Sequence, residues 1–150
     1  MSATRRRRDE SGSALVEFVW LGILLLLPLV WIIVSVFEVQ RGAFAVHAAA
    51  RAAGRAYVLA PDDQTGLQRA EAVARHTLED QGAPAMPLKL TVTCTPDPGQ
   101  CHQGTSVVTV RISSGIDLPM FPEALKGGPT SFALEARHTL PIGQYIQADH

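Results

Sequence analysis

Hydrophobic positions along the chain follow three regimes: one unbroken apolar run, then a helical period, then a period of two. Residues 18 to 37, FVWLGILLLLPLVWIIVSVF, are twenty positions without a charge. At about 1.5 Å per residue a helix of that length spans roughly 30 Å, the thickness of a bilayer's hydrocarbon core. The run is apolar on every face, so a soluble domain built from the remainder could hardly cover it, and it predicts a membrane span. Gly22 and Pro28 are tolerated in such a helix. Pro28 leaves the Leu24 carbonyl without its helical donor, which predicts a bend there.

Residues 38 to 58, EVQRGAFAVHAAARAAGRAYV, are rich in alanine and free of proline, so the helix is expected to continue. Val39, Ala43, Val46, Ala50, Ala53 and Tyr57 recur every three or four positions. This small-residue stripe suits packing on the chain's own C-terminal part or on another subunit's helix, and both can hold. Gly42 and Gly54 weaken the helix locally. Pro61 to Gly66 reads as a turn with Asp or Thr available as N-cap, followed by a second helix over about 66 to 81. Its apolar positions are Leu67, Ala70, Ala74 and Leu78, with Gly82 as the stop.

Beyond Pro84 the period becomes two. Leu88, Leu90, Val92 and Cys94 share one strand face; Val108, Val110 and Ile112 share another; Phe132, Leu134, Ala136, His138 and Leu140 a third. The proline-bearing connection from Ser113 to Thr130 is expected to be irregular. The predicted class is α+β: a long N-terminal transmembrane helix running on into a small domain with a short helix and a roughly three-stranded antiparallel sheet. One sheet face would cover the outer helix and the other would meet water.

Charge orients this arrangement. Arg5 to Arg8 precede the span, offset only by Asp9 and Glu10, which predicts a cytoplasmic N-terminus and an extracytoplasmic C-terminal domain. An oxidising exterior suits a disulfide between Cys94 and Cys101. Closing so short a ring contributes roughly 2 to 3 kcal/mol. The net charge of −1, with no basic stripe outside the first residues, gives no support for nucleic acid as a partner.

An ordinary secretory signal fits poorly. The apolar run exceeds the usual h-region of about 7 to 15 residues. The A-x-A patterns after it fall inside continuing helix, and Glu17 stands at the wrong end, between the arginines and the span. A twin-arginine signal is no better, because Arg5 to Arg8 lead into Asp9-Glu10.

The stretch SGSALVEF, residues 11 to 18, is more specific. Glu17 stands five places after Gly12, immediately before the span. This resembles a type IV prepilin-type processing site, cut between Gly12 and Ser13 with the span retained. Together with the Ala- and Arg-rich continuation HAAARAAGRA, it resembles the TadE-like family of small pilin-like proteins of tight-adherence pilus systems. The resemblance covers residues 5 to about 58; beyond that only the general layout is similar. It implies a cytoplasmic leader over 1–12, a transmembrane and extended helix over 13–58, and an exterior domain over 59–150. The implied partners are a prepilin peptidase, the pilus assembly platform, and other pilins or pseudopilins, beside membrane lipid. Glu17 would serve recruitment and register within the assembly.

A physical basis for Glu17 stands beside that resemblance. Cleavage would leave an α-amine on Ser13, with an ordinary pKa of about 7.7 to 8.0, largely charged at neutral pH. An ammonium at a helix N-terminus is unfavourable. Glu17 lies four residues on, one turn away on the same face. It can neutralise its own amine or that of an adjacent subunit, and an ionisable group at the edge of a membrane core is a functional candidate by default.

Other chemistry is thin. None of His47, His76, His102, His138 and His150 pairs at metal-ligand spacing, and Cys101-His102 lacks a CxxC partner. His138, on an apolar strand face, reads as a core residue. Gly127-Gly128-Pro129 reads as a turn rather than a phosphate loop, and Ser113-Ser114-Gly115 lacks a nucleophile-elbow context. Trp20 sits where an interfacial anchor would. The expectation is a non-enzyme without cofactor, metal or catalytic residues. The alternative is a signal-anchored exterior domain that binds a ligand or partner outside any filament. The topology is checked directly: protease added outside intact spheroplasts is expected to remove the chain beyond about residue 60, and full protection would reverse the orientation.

Overall fold

A computed structural model describes residues 11–117 and 131–143, with side chains from Ala14 onward. It divides into two units, Met1–Phe37 and Glu38–His150. Helix α1, Ser11–Val58, is uninterrupted through Pro28. Its N-terminal part is long and apolar enough to cross a membrane, and its large apolar side chains there are mostly exposed. The expected turn Gly127-Gly128-Pro129 lies outside the described residues.

Helix α2, Asp63–Asp80, begins where Asp62 in extended conformation accepts a hydrogen bond from the Thr65 amide at 2.8 Å, a side-chain N-cap. It ends at Gly82, whose φ of +71° is the left-handed stop that glycine adopts without strain. The helix starts three residues before the expected position. Spacing by four from Gly66 then buries Gly66, Ala70, Ala74 and Leu78, while Leu67, expected inside, is turned out to water.

Strands β1 (Lys89–Thr95), β2 (Val107–Asp117) and β3 (Ser131–Pro141) form an antiparallel meander in the order β1-β2-β3. The register aligns Leu90, Ile112 and Ala136 across the sheet, and likewise Cys94, Val108 and Leu140. These residues occupy the face expected to be apolar. The opposite face is polar: the Thr109 and Thr139 hydroxyls meet at 3.1 Å, and Glu135 lies 3.5 Å from Arg111 and 3.3 Å from Arg137. One expectation is corrected. Residues 113–117 are not irregular but continue β2, because β3 begins at Ser131 and pairs through Ser131↔Asp117. The rest of that connection lies outside the described residues.

One core cluster draws on both helices and all three strands. Val46, Ala50, Ala53 and Tyr57 of the expected stripe are buried, whereas Val39 and Ala43 are only half-buried. Ala45 and Ala49, off the stripe, are fully buried, so the covered arc of α1 is wider than one row of residues. Phe132, at the end of the sheet, is exposed rather than inside.

Gly42 and Gly54 explain how the sheet comes so near. A β-carbon at Gly42 would stand 3.0 Å from Leu134 and 3.1 Å from Ile116; at Gly54 it would stand 2.5 Å from Leu140 and 3.4 Å from His138. Half-buried His138 is a packing residue against this helix. The two glycines therefore mark close approach, which outweighs their cost of about 1 kcal/mol each in helix propensity. Gly54→Val should destabilise by about 1–3 kcal/mol through overpacking. Gly54→Ala should be near neutral, since helix propensity returns about 1 kcal/mol and Leu140 can shift its tip. Thermal melts of the detergent-solubilised chain check this: the valine variant should melt at least about 4 °C below the alanine variant.

Candidate functional site

The residues expected to form a processing site lie at the N-terminal edge of the described part of α1. Gly12 and Ser13 are helical by backbone, and Glu17 is exposed on the same helix. A glycine lowers local helix stability by about 1 kcal/mol relative to alanine. Ser13 and Glu17 are separated by one helical turn, about 6 Å of rise, on the same face. Among the described residues no cation lies within a turn of Glu17; the next charges along α1 are Glu38 and Arg41. An amine created at Ser13 would be the nearest complement on its own helix.

Cys94 and Cys101 are joined by a disulfide, with Cα atoms 5.4 Å apart and both residues buried. The bond closes the turn between β1 and β2, where the Asp97 carboxylate accepts from the Gly99 amide at 3.0 Å. These residues and those at the start of α1 belong to different units of the fold, and each group stands on its own local geometry.

A second constellation, not singled out from the sequence, sits where α1 turns into α2. The Tyr57 hydroxyl donates to Asp63 Oδ1 at 2.9 Å, and the Cys101 amide donates to Asp63 Oδ2 at 3.3 Å. His102 Nδ1 also meets Asp63 Oδ1, while its Nε2 faces the Tyr57 carbonyl at 3.0 Å. That carbonyl can only accept, so Nε2 carries a hydrogen. The Tyr57 and His102 rings lie 5.0 Å apart, and a β-carbon at Gly66 would meet both. The disulfide thus fixes the residue pair 101–102 against the end of α1 and the first residue of α2. The signal in the sequence was weak: Cys101-His102 and Asp62-Asp63 are nearly 40 positions apart, and only the fold joins them.

The ionisation of this corner follows from its surroundings. Burial pushes the Asp63 carboxyl up, but hydrogen bonds from His102, Tyr57 and the Cys101 amide together hold it below its ordinary value. The Thr65 amide and hydroxyl hold Asp62 low as well. Burial first, then the hydrogen bond to Asp63 and its charge, push the Tyr57 phenol well up. The arrangement is that of a polar clasp. No group of three or more His, Cys, Asp or Glu among the described residues could hold a metal.

No family model, curated protein or solved structure matches this chain.

The clasp sets a pH dependence. Asp62 and Asp63 have folded values below their unfolded ones, so their contribution is complete above about pH 4 and lost as pH falls through the folded values. Tyr57 has the opposite sign: its contribution is complete below about pH 10 and lost as pH rises further. Tyr57→Phe removes one hydrogen bond to a carboxylate and is expected to cost about 1–3 kcal/mol near neutral pH. The same substitution should flatten the alkaline limb of stability measured by denaturant titration across pH. An unchanged alkaline limb would contradict the clasp.

Proposed function

We propose that this chain is a non-enzymatic, pilin-like protein, a minor pilin or assembly factor of a tight-adherence pilus. A prepilin peptidase would cut it after Gly12 on the cytoplasmic side. The mature protein would remain in the membrane through residues 18–37, with its C-terminal domain outside. Its partners would be the assembly platform and other pilins or pseudopilins. The observation that carries this reading is the placement of Gly12 and Glu17, five residues apart, directly before an uncharged helix that continues into a small α+β domain. An ordinary signal anchor has no need of that carboxylate.

A signal-anchored binding domain is the second reading. One apolar helix near the N-terminus, followed by a disulfide-bonded domain, supports it equally well.

Two substitutions separate the readings. A peptidase at the membrane surface must bring the scissile carbonyl close, and a side chain at position 12 obstructs that approach. Gly12→Leu should block cleavage and every later step. Glu17→Val leaves the Gly12–Ser13 bond accessible but removes the counter-charge of the new amine. It should leave the mobility shift of about twelve residues intact on a gel while impairing incorporation or co-purification with pilus components. Identical failure of both variants at cleavage would make Glu17 a peptidase recognition element. Wild-type behaviour of both would leave the signal-anchored domain in place.

A further inference from the structure

A groove of about 290 Å³ opens in the C-terminal unit where the first turn of α1 beyond the apolar run meets the α2–β1 connection and the end of β2. Glu38, Arg41 and Asp117 line it, together with apolar Met86 and Ile116. Arg41 rests against Gly82, where any β-carbon would collide with the guanidinium, so the glycine makes room for the charge. The guanidinium meets only the carbonyls of Gln81 and Gly82, at 3.4 and 3.5 Å, the outer limit of a hydrogen bond. It has five donors, and most remain available. Glu38 and Asp117 have no ion pair with it or with any other described residue.

The groove therefore presents one cation and two carboxylates, none in an ion pair among the described residues, above an apolar floor. A plain anion would meet Arg41 but also both carboxylates. A zwitterion carrying a phosphate and a primary ammonium satisfies both signs: the phosphate takes the guanidinium fork, and the ammonium donates to the carboxylates. A trimethylammonium group has no N–H to donate. Position selects the source. Glu38 and Arg41 are the first and fourth residues after the uncharged run, so a bilayer core filled by that run places them at headgroup depth. Met86 and Ile116 then suit the glycerol and upper acyl segment.

We propose that this groove is a lipid-headgroup site selective for phosphatidylethanolamine. The assignment rests on residues 18–37 spanning the membrane.

Native mass spectrometry of the detergent-solubilised full chain, titrated with phosphatidylethanolamine, phosphatidylcholine or phosphatidylglycerol of matched acyl chains, tests it. Phosphatidylethanolamine should be retained about tenfold over either of the others. Arg41→Gln, and separately Glu38→Gln with Asp117→Asn, should each abolish that preference without changing the circular dichroism spectrum. Equal retention of the three lipids overturns the proposal, as does a preference for phosphatidylglycerol or a preference that survives both variants. Displacement by equimolar glycerophosphoethanolamine would assign the groove to a free compound and overturns the lipid assignment. Alkaline carbonate fractionation separates the two levels. A chain released from membranes fails the span and the lipid site together, whereas a retained chain without selectivity fails the lipid site alone.

Discussion

Close approach between the small-residue face of α1 and the β-meander is the contact on which the C-terminal unit depends. Ala45, Ala49, Ala50 and Ala53 share a core with Val108, Val110, Ile112 and Ala136, and Gly42 and Gly54 remove the last side chains from the path of Leu134 and Leu140. A three-stranded sheet of this size cannot stand alone; it needs a helix to cover its apolar face. Alanine makes that cover thin and close, and dispersion contacts accumulate because so little volume separates backbone from backbone. The helix that supplies the cover is also the helix that carries the apolar run. Any change that loosens the alanine face therefore acts on the whole domain.

The clasp at the α1–α2 corner completes that arrangement at the other end of the buried helix. Tyr57 is the last large core residue of α1, fully buried, and its hydroxyl must find a partner. Asp63 provides one, and the disulfide brings His102 to that same carboxylate oxygen and the Cys101 amide to the other. A buried tyrosine, a partly buried carboxylate and a short covalent ring thus constrain one another. Removing Tyr57 or His102 takes a donor from the Asp63 carboxylate, and removing Asp63 leaves the buried Tyr57 hydroxyl without its partner.

Much of the architecture was legible in the sequence because each element has a strong local signature. The uncharged run, the alternation at Leu88–Cys94 and the Asp62–Gly82 punctuation all act over a few residues. What escaped was nonlocal. The end of β2 at Asp117 is set by pairing with Ser131, across a segment whose prolines suggested irregular chain. Leu67 looked apolar enough to be inside, yet the cap at Asp62 sets the helix phase and places Gly66 against Tyr57 instead. Gly42 and Gly54 read as helix weaknesses because only the folded sheet shows what a side chain there would strike. The Tyr57–Asp63–His102 clasp had no local spacing to betray it. The proposed roles of Gly12 and Glu17 rest on a linear motif ahead of the apolar run, and a peptidase would read it as one.

The proposed function begins with one peptide bond. If the bond between Gly12 and Ser13 is cut, Glu17 acquires an ammonium one turn away, and the carboxylate ahead of the apolar run gains a complement on its own helix or on a neighbour's. Without the cut, Glu17 remains a lone carboxylate beside an apolar helix. Amino-terminal sequencing of the membrane-associated protein from its native cell measures this directly. The account predicts a sequence beginning at Ser13, SALVEF; one beginning at Met1, or anywhere within or beyond the apolar run, would contradict it.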